Sequence, residues 1–225
     1  MATSIAEHAL SLIDDGAVVG LGSGRAARNF VRALGTRVQA GFRIRGVPTS
    51  QATADLAHSL GIPLCRPDEV GRIDIAVDGA DEVDPSLQLI KGYGGALVRE
   101  KIVAASATRF VILVGQEKLV PVLGSRGKLP LEVLPFGSAL CLRLLDGFGW
   151  RPQLREENGE PFTTDNGNYL VDCHIPLLPS PATWEQKLSA MPGIVGTGLF
   201  LDMAHTVLIQ TGDTVQVRQR TRPDP

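Results

Sequence analysis

The 225-residue chain sets 22 Lys and Arg against 24 Asp and Glu, and a formal charge of −2 gives no electrostatic footprint for nucleic acid or for an anionic membrane surface. With 44% hydrophobic and 20% charged residues it has an ordinary globular composition, enough for one large domain or a main domain with a smaller companion. Its three cysteines, Cys65, Cys141 and Cys173, include no CxxC pair, which fits reduced thiols in a cytosolic compartment better than a disulfide framework.

The chain opens with MATSIAEHALSLIDDG, where Glu7, Asp14 and Asp15 and the lack of a basic stretch before an apolar run argue against a signal peptide. No run approaches the roughly 18 uninterrupted apolar residues of a membrane span, so a soluble, cytoplasmic protein is expected. Ile5, Ala9, Leu12 and Ile13 form one helical face, and AVVGLG (17–22) reads as a buried strand. A helix is expected over 26–34, with Phe30, Val31 and Leu34 facing inward, then a strand at 44–47, a helix at 51–60 and the strand IDIAV at 73–77. The helix 97–107 leads into FVILV (110–114). Strands alternating with amphipathic helices imply βαβ units around a mostly parallel sheet flanked by helices, a Rossmann-like α/β domain.

The pattern changes near residue 127. LPLEVLP (129–135), with a proline near each end, reads as an edge or entering strand. A helix at 138–145, strand-like pieces at 150–154 and 169–173 and a helix at 184–191 follow, a β-α-β-β-α-β order that predicts a small ferredoxin-like α+β domain over 128–200. PGIVGTGLF (192–200) returns the chain to the main domain, made of 1–127 and 201–225, whose sheet VLI (207–209) and TVQV (214–217) extend. The polar tail RQRTRPDP is expected to fray.

Three stretches carry chemistry. GLGSGRAA (20–27) lies between a strand and a helix, where exposed amides attract anions; Ser23, Gly24, Arg25 and Ala26 would cradle a phosphate, or the glycines would serve only a tight turn. A dinucleotide fingerprint fits poorly, because the acidic residue expected to end the second strand is replaced by Arg43 and Arg45 around it. Asp78 and Asp81 emerge at the carboxyl end of IDIAV with Gly79 between them, and with Glu82 and Asp84 they put four acids within seven residues, either a site or a solvated loop. Lys91 begins a loop with Gly92, Gly94 and Gly95, and Glu100 follows nine residues after Lys91 in the first turns of a helix; its plainer reading is a surface acid paired with Arg99 or Lys101. Together these groups suit aldose–ketose exchange: a base to move a proton between adjacent carbons, a cation for the enediolate oxygen, and a group for the hydroxyl proton.

The ordered blocks GLGSGRAA, GVPTSQATADLA with GIPL, DGADEVD, LIKGYGGALVREKI, KLVPVLG, LPLEVLPF, TDNGN and PGIVGTGLF resemble the ribose-5-phosphate isomerase A family through nearly the whole chain. The resemblance implies interconversion of ribose 5-phosphate and ribulose 5-phosphate in the pentose phosphate pathway without metal or cofactor, on a parallel α/β domain with a ferredoxin-like lid, assembled as homodimers or homotetramers. By motif, Glu100 corresponds to the base, Asp78 and Asp81 to the pair handling sugar hydroxyls and ring opening, and Lys91 to the cation beside the oxyanion. Lys118 in QEKLV corresponds to a substrate-binding lysine, and Gly79, Ala80, Gly92, Tyr93 and Gly94 to backbone contacts. Two departures stand out: Arg25 and Ala26 replace a serine and a threonine of the family's phosphate loop, and Tyr93 replaces a glycine, where its ring would wall or narrow the pocket.

Other motifs read more plainly. Asn166-Gly167 in TDNGN is foremost a hairpin turn, and Thr49 and Ser50 read as helix caps. His8, His58, His174 and His205 never approach metal-ligand spacing. Isomerisation of a different sugar phosphate, and a non-catalytic sugar-phosphate sensor, remain as alternatives. The absence of an N-terminal helix-turn-helix segment and the presence of Glu100 and Lys91 speak against the sensor.

Overall fold

The structure is a computed structural model that describes residues 4–220. The described chain divides into two compact units: the first holds the chain up to Ala80, Arg99–Lys118 and the chain from Met203 on, and the second holds Asp81–Val98 and Leu119–Asp202. Strands β1 to β15 and helices α1 to α6 are numbered in chain order.

The first unit is built on a six-stranded sheet in the order β15-β14-β6-β3-β1-β2. Strands β1 (Val18–Leu21), β2 (Arg45–Pro48), β3 (Ile73–Gly79), β6 (Ala107–Gly115) and β14 (Thr206–Thr211) pair in parallel, and β15 (Thr214–Gln219) adds an antiparallel edge. Helices α1 (Ile5–Leu10), α2 (Gly24–Gln39), α3 (Gln51–Ser59) and α4 (Leu97–Ser106) intervene, as expected for βαβ units. Ala27, Phe30, Val31 and Leu34 recur at helical spacing on α2 and are fully buried, the last three in one core with Leu21, Ile75 and Val77. Helix α2 runs past the predicted end at residue 34 because Gly35 acts as a packing residue there. A Cβ at Gly35 would lie 2.8 Å from Leu60 Cβ. Of the tail expected to fray, Arg218 and Gln219 lie in β15, and residues 221–225 fall outside the described chain.

The second unit carries a four-stranded antiparallel sheet in the order β12-β7-β11-β8, from β7 (Lys128–Val133), β8 (Pro152–Leu154), β11 (Tyr169–His174) and β12 (Ile194–Thr197). Helices α5 (Ser138–Asp146) and α6 (Pro181–Ser189) complete the expected β-α-β-β-α-β order. Leu129, Leu131 and Val133 of β7 and Val171 and Cys173 of β11 form one core with Cys141, Leu145, Trp150 and Leu188. Alternation therefore turns Lys128, Pro130 and Glu132 to the other face, opposite His174, Asp172 and Leu170.

The division differs from the one read in the sequence, which left 81–98 and 119–127 in the main domain. Strands β4 (Glu82–Val83) and β5 (Leu89–Ile90) pair into a three-stranded sheet with β13 (Leu199–Phe200), in the order β13-β5-β4. The Glu82 carboxylate, fully buried, accepts the amides of Gly124 and Arg126 at 2.7 Å each, which ties 119–127 to the same unit. A two-stranded hairpin, β9 (Glu156–Glu157) with β10 (Glu160–Pro161), completes it.

Strand β7 is central, where an edge strand was expected. The carbonyl of Pro130 accepts the Gly198 amide at 2.8 Å, on the side where β12 has already ended at Thr197 opposite Leu131. A strand residue's nitrogen faces the same neighbour as its carbonyl. The missing N–H of Pro130 thus falls beyond the ladder, and the strand tolerates the proline.

Candidate active site

Because β1, β3 and β6 are adjacent and parallel, the segments leaving their carboxyl ends gather at one edge of the first unit's sheet. These are the glycine-rich loop after Leu21, Asp78–Gly79 at the end of β3, and the short turn Gln116–Lys118 after β6. The order β3-β1-β2 means that the chain leaves β1 to one side and later returns to the other. The crevice between β1 and β3 is therefore a topological switch point, where open α/β sheets bind ligands.

Asp78 is buried at this point, and its Oδ1 accepts the amides of Gly79 at 2.7 Å and Ser23 at 3.1 Å. Gly22 is glycine because the aspartate leaves no room: an added Cβ would lie 2.3 Å from Asp78 Cγ. Ser23 Oγ lies 2.8 Å from Thr49 Oγ1 and 2.9 Å from Ser50 Oγ, and Ser50 Oγ accepts the Thr53 amide as the cap of α3. Ser50 is thus the expected cap, whereas Thr49 donates to the Leu21 carbonyl at 3.0 Å. Both the amide and the hydroxyl of Ser23 serve the protein itself. Ser23 makes no side-chain cap on α2, so the first turn of this 16-residue helix, Gly24, Arg25 and Ala26, presents backbone amides suited to an anion.

Glu100 lies in the first turn of α4 and is only 5% exposed, which removes the reading of a solvent-facing surface acid. It packs around one narrow gap with Gly20, Gly22, Thr49 and Asp78, bounded by Val103, Ala104 and Phe110. The first unit therefore brings together Glu100, Asp78, Gly79 and Ser23, with Lys118 at the end of the neighbouring strand β6.

In the second unit, Asp81 Oδ2 accepts the Tyr93 amide at 3.0 Å, and the Asp81 amide donates to the Ile90 carbonyl at 2.8 Å. Lys91 is buried, its amide held by the Gly198 carbonyl at 2.9 Å and its ammonium 5.4 Å from the Phe200 ring centroid. Gly92 and Gly95 take φ of +103° and +91°, conformations that side chains strain to adopt. Tyr93 joins the unit's own core: its hydroxyl donates to the Lys128 carbonyl at 3.2 Å, and the Lys128 ammonium sits 5.0 Å over its ring. Burial, then the nearby Asp81 and Glu82, push the phenol well above its ordinary pKa, so it stays a neutral donor.

The acidic run is no solvated loop. Asp78, Asp81 and Glu82 all accept backbone amides, and Asp84 Oδ1 accepts those of Ser86 and Gln88 at 2.9 Å each. Backbone donors resolve the repulsion that four neighbouring acids would otherwise feel.

Sequence reasoning passed over two polar groups on the face of the second unit's sheet that carries Lys128, Pro130 and Glu132. Arg155 makes a two-pronged pair with Asp172, Nε to Oδ2 at 2.9 Å and Nη2 to Oδ1 at 2.6 Å, and Lys128 reaches Oδ2 at 2.8 Å. Fully buried Glu132 gathers Thr164, Asn166 and Asn168 onto its Oε1 at 3.1, 3.0 and 2.8 Å. TDNGN does make the expected turn, bridged between Thr163 and Tyr169, and its polar side chains do more than turn. The β-period of LPLEV carried a signal for Glu132, an acid in an otherwise apolar strand.

A family model described as ribose 5-phosphate isomerase A (phosphoriboisomerase A) matches residues 45–214. The ribose-5-phosphate isomerase A of Thermomicrobium roseum is 49% identical over 219 residues, 96% of this chain and 92% of that protein. The chain belongs to the ribose 5-phosphate isomerase A family. It is an isomerase-family enzyme, as the motifs led one to expect. The structure of ribose 5-phosphate isomerase A from Methanocaldococcus jannaschii matches with a TM-score of 0.90 at 37% identity, over 95% of this chain and 96% of that one. A D-ribose-5-phosphate isomerase solved in complex with phospho-erythronic acid matches with a TM-score of 0.92 at 39% identity, over 96% of both chains. The fold expected from the sequence, a mostly parallel sheet flanked by helices with a second small sheet unit, is that of ribose 5-phosphate isomerase A structures.

Among the described residues no cluster of His, Cys, Asp or Glu has the make-up of a metal site, and no helix is long and apolar enough to cross a membrane.

Proposed function

We propose that the chain interconverts ribose 5-phosphate and ribulose 5-phosphate through an enediolate, with Glu100 carrying the proton. The observation that supports this most is the burial of Glu100 beside Asp78, which ends a strand at the switch point of the sheet. The phospho-erythronic acid bound by the related isomerase is a phosphorylated sugar acid, and its planar carboxylate has the shape of an enediolate.

In this mechanism the Glu100 carboxylate takes the hydrogen of C2 in the open-chain aldose. The C–H electron pair becomes the C1–C2 double bond, and the carbonyl electrons move to O1. Lys91 supplies the positive charge for that oxygen, an interaction stronger in the transition state than in the ground state. Returning the proton from Glu100 to C1, with the O2 hydroxyl proton passed to O1 as the C2 carbonyl forms, gives the ketose. Asp78 and Asp81 handle the hydroxyl protons and ring opening, and the amides held on Asp78 Oδ1 keep that carboxylate oriented. The first turn of α2 with Arg25, and Lys118 after β6, hold the phosphate, whose remote binding orients the sugar. Backbone of Gly79, Ala80, Gly92, Tyr93 and Gly94 completes the contacts. We place the reaction in the non-oxidative pentose phosphate pathway in the cytoplasm, carried out without metal by a homodimer or homotetramer.

Conversion of ribose 5-phosphate in deuterated water tests this reading. The wild type should form ketose and wash solvent deuterium into recovered substrate, and E100Q should lose both; exchange persisting in E100Q would remove the base. Comparing kcat/KM for ribose 5-phosphate with those for other pentose and hexose phosphates tests the substrate, since Arg25 departs from the family's phosphate loop. Excess chelator should leave turnover unchanged.

A further inference from the structure

The lysine-bearing loop belongs to no helix or strand, and its carbonyls need donors from elsewhere. The Gly92 carbonyl accepts the loop's own Gly95 amide at 3.1 Å, and one side chain supplies donors from outside the loop. Arg155 Nη1 donates to the Tyr93 carbonyl at 3.0 Å, and both terminal nitrogens approach the Gly92 carbonyl, at 3.5 and 3.4 Å. The same guanidinium is gripped side-on by Asp172, itself held by Lys128, so the fork cannot turn away. The pair is mostly buried, with 15% and 19% side-chain exposure. Below the loop, Phe162 lies 5.9 Å from the guanidinium and would touch a Cβ at Gly95 at 2.8 Å. The loop therefore has an apolar floor and one charged clamp.

We propose that Arg155, oriented by Asp172, is a positioning residue for turnover: it fixes the carbonyls immediately after Lys91, and with them the aim of the lysine's ammonium. This rests on the proposed role of Lys91 at the developing oxyanion. A guanidinium is needed because two carbonyls and a carboxylate are met at once by separate N–H groups of one fork, which an ammonium cannot reproduce. Loosening the clamp leaves the substrate's phosphate contacts intact, disturbs the loop's backbone contacts slightly and misplaces a charge used as the transition state forms, so kcat should fall much further than KM rises.

Four enzymes decide it: wild type, R155A, K91A and the double variant, with R155K as a fifth that keeps the charge and the aliphatic stem. R155A should lower kcat about 30-fold, the scale of a small misplacement of a catalytic group, with KM within about threefold. In the K91A background the same change should cost less than about threefold, because the group being aimed is gone. R155K should melt within a few degrees of wild type and still lose about tenfold in kcat, which separates aiming from folding should R155A prove unstable. Equal fold losses in both backgrounds would overturn the proposal, as would a full wild-type kcat in R155K. A fully active K91A would instead remove the role of Lys91 on which it rests, while leaving the Glu100 exchange test untouched.

Discussion

The crevice holding Asp78 and the loop carrying Lys91 are both lined by glycine, yet they are made rigid by different means. Asp78 stands at the end of a central parallel strand, and the backbone itself holds its carboxylate through two amides. The lysine loop has a few backbone bonds but no ladder, and its carbonyls also lean on side chains more than thirty residues away, Arg155 with Asp172 and Lys128 behind it. A carboxylate fixed by main chain is guaranteed by the fold, whereas a loop fixed by side chains can be loosened by one substitution that leaves the fold alone. The first arrangement suits a group that must not move between two proton transfers. The second suits a loop whose exact aim can be tuned.

Substitutions at the two regions should behave accordingly. The largest effect belongs to E100Q, which should lower kcat by about a thousandfold or more with an unchanged circular dichroism spectrum, since an amide cannot accept the proton. A G22A change comes next. The added carbon meets Asp78 at 2.3 Å, so the variant should lose about 1–3 kcal/mol of stability by denaturant melting and also lose turnover through the displaced carboxylate. Full activity there would show that the Asp78 anchorage is not needed.

On the loop side, D172N should act on stability with a pH signature. Burial works to raise the Asp172 carboxyl, but the hydrogen bonds and charges of Arg155 and Lys128 outweigh it and hold the group below its ordinary value. A carboxylate with a depressed folded pKa contributes stability above the unfolded value, and that contribution fades as pH falls through the folded value. The Tm gap between wild type and D172N should therefore be about 3–6 °C at pH 7 and shrink below about pH 4. A gap independent of pH would show the loss to be one of packing. The smallest structural effect should be that of G94A, because a Cβ at Gly94 meets nothing within 4 Å. Its Tm should stay within about 2 °C of wild type, so any rise in KM would report on the substrate rather than the fold.

The same contrast explains what could be read in the sequence. Strand ends, the glycine-rich loop and the acid pair after IDIAV announce themselves locally, because hydrophobic period and glycine position are local signals. The three-stranded sheet of β4, β5 and β13 does not, since its strands are two residues long and show no period. The contact of Tyr93 with Lys128, a partner 35 residues away, has no local signal in the sequence either. Arg155 sits in LREENGEP, which looks like a polar turn, and only tertiary pairing with Asp172 gives it meaning.

Glu132 gives the small sheet a lock on its register. In antiparallel pairing a slip of one residue exchanges the two faces of a strand, and at the centre of β7 and β11 the residues around Glu132 are apolar. With Glu132 opposite Leu170, a shifted sheet would drive a carboxyl group among Cys141, Leu145 and Trp150 and strand three polar side chains of the 164–168 turn. A misaligned sheet would thus be penalised twice, and the chain is steered to a single alignment before its catalytic groups are ever assembled.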